Sequence, residues 1–244
     1  MTVSTPDVAA LDADALLALA DDALIAAQWL GGWVSLAPVL EEDVALANIA
    51  LDQLGVARAL LTRFGELEGR GRSEDDLAYW RTPAELRNAL LVERPDGQDF
   101  GVLVVRLLLL STAQLHRYAA LRSVPDPTVA AVLAKAVAEV SYHRDHARTW
   151  LLRLGDGTHD SHDRVQRALE AEWPYLAELL TPQTGATVRG QLADDIAAAT
   201  LVVPSEPDDP TPYAGGREGR HTEHLAPLLA TMQEVARAHP GAVW

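Results

Sequence analysis

Apolar residues recur at three- and four-residue spacing along most of the chain, and this pattern predicts helices almost throughout. The first stretch, STPDVAALDADALLALADDALIAAQWLGGW, offers Ser4 or Thr5 as a cap, Pro6 at a first helical position and Asp7 in the first turn; it stays apolar until Gly31 and Gly32. After Pro38, LEEDVALANIALDQLGVARALLTRFGELEG starts acidic, as the positive end of a helix dipole favours, and ends near Gly69. Its apolar residues occupy more than one face, which predicts burial on several sides. A charged, glycine-rich connector, GRGRSEDD, follows, and TPAELRNALLVE predicts a short helix with Thr82 and Glu85 as a capping box around Pro83.

DFGVLVVRLLLLSTAQLHRYAALRS is apolar for three turns and therefore central. VPDP at 124–127 breaks the chain, and a fourth long helix runs from about Pro127 to Leu154, stopped by GDG. Shorter helical segments follow at roughly 161–180 and 187–201. VVPSEPDDPTPYAGGREG at 202–219 holds too much Pro and Gly for a regular element and reads as a functional or interface loop. HTEHLAPLLATMQEVARAH then forms a last helix ending at Pro240. Neither strand alternation nor an internal repeat is visible. The expectation is an all-α, ferritin-like helix bundle in one domain, with a core at about 7–155 and a helical C-terminal extension at about 159–244. About 30 residues separate the second and third long helices, enough for the long crossover of a ferritin-like bundle.

Composition narrows the function classes. A net charge of −15 argues against nucleic-acid binding and favours solubility or a basic protein partner. Without cysteine there is no disulfide, thiolate nucleophile, iron-sulfur ligand or Cys-based zinc site. The N-terminus lacks the basic and apolar regions of a signal peptide, and RLLLL at 106–110 is too short to span a bilayer, so a cytoplasmic protein is expected.

One segment carries the sharpest chemical signal. In AEVSYHRDHARTW, Glu139, His143 and His146 fall at i, i+4 and i+7, on one helical face. A di-iron bundle needs a Glu from each of two helices and Glu-x-x-His from each of the other two. Here Val140 occupies the position three before His143, and the carboxylate has slipped to Glu139. The other helices fit no better. The first offers Asp21 and Asp22, the second gives Gln53 followed three later by Val56, and the third has Ser111 and Gln114 but no acid. Most of a di-iron ligand set is therefore missing. The single lysine, Lys135, stands four before Glu139. It is either a buried ammonium replacing the lost metal charge, within a polar cluster of Asp21, Asp52, Lys135, Glu139 and His143, or half of an exposed ion pair. In HTEH, His221 and His224 either chelate a metal or serve as caps and interface contacts; His159 and His162 are weaker candidates. Arg217 and Arg220, on a flexible loop, either meet ligand phosphates or are solvated.

LAPVLEEDVALANIALDQLGVARALL, NALLVERPDGQDF, AKAVAEVSYHRDHARTWLLRLGDGT and GGREGRHTEHLAPLLATMQ resemble the C-type, structural subunits of the bacterial 1,2-phenylacetyl-CoA epoxidases, the ring-activating multicomponent oxygenases of phenylacetate degradation. The likeness extends over nearly the whole chain. It implies a ferritin-like, non-catalytic subunit that pairs with a homologous, catalytic A-type subunit. That partner would carry the di-iron centre, activate oxygen and bind most of the phenylacetyl-CoA; a small B-type subunit, together with a flavin and iron-sulfur reductase fed by NADPH, would complete the complex. The resemblance implies no catalytic residue, metal or cofactor in this chain, and makes Arg217, Arg220 and His221 candidates for contact with CoA or the partner. The rivals are a free-standing ferritin-like metalloprotein with iron or manganese around Glu139 and His143, and a free-standing helical binding protein.

Overall fold

The computed structural model describes residues 11–242. Within them nine α-helices and short 3₁₀ turns account for all regular structure: α1 Ala13–Gly31, α2 Leu40–Glu68, α3 Glu74–Tyr79, α4 Leu90–Glu93, α5 Phe100–Leu121, α6 Pro127–Gly155, α7 His159–Glu172, α8 Gly185–Ala198 and α9 Leu225–Ala238. The expected cap at Ser4 or Thr5 and the proline at Pro6 lie outside the described residues. Asp12 caps α1, accepting from the Ala15 amide, and Gly69, at φ 67°, ends α2 in the left-handed conformation that glycine adopts without a Cβ penalty.

Two buried apolar clusters give the bundle its direction. One gathers Trp29, Leu30, Leu46, Ile49, the first half of α5 and Ala147 with residues of α7, α8 and α9. The other holds Leu16 to Leu24, Val56 to Phe64, Tyr118 and Val129 to Val140. Along α1 and α6 the chain passes from the second cluster to the first, and along α2 and α5 from the first to the second. Thus α2 and α5 run the same way and need a crossover between them, which is the ferritin-like arrangement. Core residues of α7, α8 and α9 share the first cluster with α1, α2 and α5.

The crossover differs from the sequence expectation in two places. Within the GRGRSEDD connector and just after it, Ser73 and Asp76 form a reciprocal capping box that starts α3. TPAELRNALLVE is not one helix: the Thr82–Glu85 box is present, but it closes a single 3₁₀ turn, residues 86 and 89 are extended, and α4 is one turn long. The cause lies on α1. Asp21 accepts the Arg87 amide at 2.8 Å and Asp22 accepts the Ala89 amide at 2.8 Å, so alternate N–H groups are claimed as in a strand. By length and composition α2 and α5 could both cross a membrane; most of α5 is buried in the bundle, and α2 less than half.

Candidate functional site

At the boundary between the two apolar clusters each of α2, α5 and α6 turns a polar side chain inward: Gln53, Gln114 and His143, all buried. Gln53 Nε2 donates to Gln114 Oε1 at 2.8 Å and Gln114 Nε2 returns the bond to Gln53 Oε1 at 3.0 Å, so the two amides close on each other. Ser111 turns its hydroxyl back to the Leu107 carbonyl at 2.6 Å. His143 Nε2 faces Asp52 Oδ2 at 2.9 Å. Burial pushes the imidazole below its ordinary pKa against the opposing pull of Asp52, so a neutral ring donates from Nε2 and Nδ1 is left as a buried acceptor without a partner.

A ferritin-like di-iron centre would need bridging carboxylates at this level. The residues present do not fit it: two amides, a self-satisfied serine and Val140 stand there, and the one imidazole, bonded to Asp52 through Nε2, offers Nδ1 alone. Among the described residues no group of three His, Asp or Glu side chains is placed to hold a metal ion.

The expected polar cluster is only partly assembled. Asp52 and His143 meet, as above. Lys135 pairs with Glu139 at 2.6 Å but is 76 % exposed, so it is the surface i,i+4 pair rather than a buried metal surrogate. Asp21 lies elsewhere. Its carboxylate is fully buried and chelated by Arg81, itself 2 % exposed, with a second contact at 2.9 Å. Its neighbour Asp22 is held by Arg217 through two bonds of 2.8 and 2.7 Å. Buried guanidinium groups recur: Arg106, within the apolar run of α5, makes two bonds to Glu172 at 3.0 and 3.1 Å, and buried Arg144 meets Asp195, which the more exposed Arg148 also reaches.

Arg217 is therefore corrected from a ligand contact to an internal tie. It also donates to the Arg87 carbonyl at 2.8 Å, joining the C-terminal loop to the crossover. The loop approaches closely because Gly216 lies against the Asn88 carbonyl, where a Cβ would collide. His221 is corrected likewise: its side chain is 3 % exposed, with Nδ1 2.7 Å from Glu93 Oε2 and Nε2 3.1 Å from the Leu86 carbonyl. Glu93 also accepts the Thr222 amide at 2.6 Å and the Asn88 side chain at 2.9 Å. Of the three candidate contact residues, Arg220 alone keeps its side chain at the surface, 68 % exposed beside Glu218. His146 Nε2 lies 3.0 Å from Glu42 Oε2, and His162 bonds the Gly155 carbonyl.

The His221 clamp gives a pH test. Burial alone would lower its pKa, but the hydrogen bond and charge of Glu93 outweigh it and raise the ring above its ordinary value. Both nitrogens face acceptors, which requires the imidazolium. A folded-state pKa above the unfolded one contributes stability that is complete below the ordinary histidine pKa and is lost as pH rises through the raised value. Thermal melts of the native chain and of His221→Gln should differ most near pH 6 and converge toward pH 9. A gap that is constant across this range would mean that protonation of His221 contributes nothing.

Comparison with known proteins supplies the context. A family model described as "Phenylacetic acid catabolic protein" matches residues 5–244. The chain is 40 % identical over 245 residues to a protein of Escherichia coli (strain K12) named as the C subunit of 1,2-phenylacetyl-CoA epoxidase, covering 93 % of this chain and 97 % of that protein.

Proposed function

The chain belongs to the phenylacetic acid catabolic protein family, and on that premise we propose that it is the structural subunit of a phenylacetyl-CoA epoxidase, a bundle that performs no oxygen chemistry itself and supports a catalytic di-iron subunit. The observation that carries this reading is the closed Gln53–Gln114 pair at mid-bundle, where a catalytic bundle would place carboxylates. The buried acids of α1, Asp21 and Asp22, are neutralised by Arg81 and Arg217, so their charge is already balanced without a metal.

Support for pairing comes from the outer face of α2. Leu40, Val44, Leu51 and Leu54 are exposed on it, and half-buried Ala47 completes a 4-3-4-3 spacing, the seam by which one helix receives another. In this reading the stripe is covered by the catalytic subunit, which also holds most of the phenylacetyl-CoA. The small B-type subunit, like the reductase with its flavin and iron-sulfur groups, binds the assembled pair in the cytoplasm. The test is co-expression with the catalytic subunit, followed by size-exclusion chromatography and metal analysis of each separated chain. Co-elution is expected, with iron confined to the catalytic partner. Stoichiometric iron or manganese that stays on this chain through dialysis would overturn the reading.

A further inference from the structure

A pocket of about 280 Å³ lies between α1, α5 and the segment from Glu178 to Thr181. Ala18, Leu19, Ala113 and Leu180 make part of its wall apolar, while Arg117 and Tyr118 of α5 bring donors to it. Of the other charged groups that line it, Asp14 is exposed to solvent, and the more buried ones are spent. Asp22 and Arg217 satisfy each other, and the Glu178 carboxylate accepts the Leu90 and Gly215 amides at 2.8 and 2.7 Å.

Arg117 is the exception. Its guanidinium is half-buried, no carboxylate of the described residues lies within ion-pair distance, and burial, reinforced by the charge of Arg217, pulls its pKa below the ordinary value, with only Asp12 opposing. A desolvated cation without a counter-ion is costly, and a bound anion would relieve that cost. The Tyr118 hydroxyl is buried with no hydrogen bond within 3.5 Å, and Gln114 is its polar neighbour. Burial also raises its pKa far above the ordinary phenol value, which keeps it a donor.

We propose that this pocket binds a small monocarboxylate with an apolar body, the carboxylate pairing with Arg117 and within reach of the Tyr118 hydroxyl, the body lying against the alanine and leucine wall. A single unpaired guanidinium matches one negative charge rather than the two of a phosphate. The volume suits a molecule of about ten non-hydrogen atoms, near the lower end of ligand pockets. Nothing in the inference depends on the epoxidase reading.

Calorimetric titration of the full chain decides it, with phenylacetate and hexanoate as probes and their amides and inorganic phosphate as controls. Saturable binding of the carboxylates is expected, about tenfold tighter than the amides or phosphate. Arg117→Met should weaken carboxylate binding about tenfold without lowering the melting temperature of the ligand-free chain, and Arg117→Lys should restore part of the loss. Amides or phosphate binding as tightly as the carboxylates, an unaffected Arg117→Met, or no saturable binding at millimolar concentration would each overturn the proposal.

Discussion

Arg81→Met is expected to lower the unfolding free energy by about 3–5 kcal/mol, because it strands the fully buried Asp21 carboxylate without its counter-charge. At this chain length such a loss corresponds to a fall in melting temperature of roughly 6–20 °C. The guanidinium also donates to the Leu77 and Glu85 carbonyls, so its removal loosens the start of the crossover as well. The double variant Asp21→Asn, Arg81→Met should recover part of the loss, since a neutral amide can still accept the Arg87 amide through its oxygen and leaves no buried charge. Chemical denaturation of the four proteins in the cycle measures this coupling. A single variant within about 0.5 kcal/mol of the native chain would mean that the pair contributes no net stability to the fold.

This ion pair also marks where the sequence stops being legible. The four long helices follow from periodicity and punctuation, because Gly69, Pro127 and the GDG stop act locally. The loss of ligands is legible too, since Gln53, Ser111, Gln114 and Val140 each occupy a definite helical position. What the sequence does not reveal is which cation neutralises the acids of α1. Lys135 stands close in sequence to the histidine motif, yet the charges that balance the acids are Arg81 and Arg217, 60 and 195 residues from their partners. Nothing local joins them; the crossover and the C-terminal loop meet α1 only in the fold. The same contacts explain why TPAELRNALLVE fails as a helix, since its amides are claimed by carboxylates that its own sequence does not contain. One signal was available: Arg106, a lone charge within VVRLLLL, requires a buried acid elsewhere, and Glu172 supplies it.

The buried pairs leave no group of metal ligands at the mid-bundle level among the described residues, and they shift the functional question to the outside of the bundle. Leu51, in the middle of the α2 stripe, is 63 % exposed. Leu51→Glu should therefore leave the isolated chain's melting temperature unchanged, as surface substitutions commonly do. In the complex the same carboxylate would be desolvated against an apolar partner face, at a cost of at least about 2 kcal/mol, or roughly a thirtyfold loss of affinity for the catalytic partner. Leu67→Glu is the control. It makes the same change on the same helix at another exposed leucine, off the 4-3-4-3 register, and should bind as the native chain does. Affinity measured by surface-immobilised titration separates the two. Equal binding by Leu51→Glu and the native chain would place the partner on a different face, while equal losses in both variants would point to the net charge of this acidic protein rather than to the stripe.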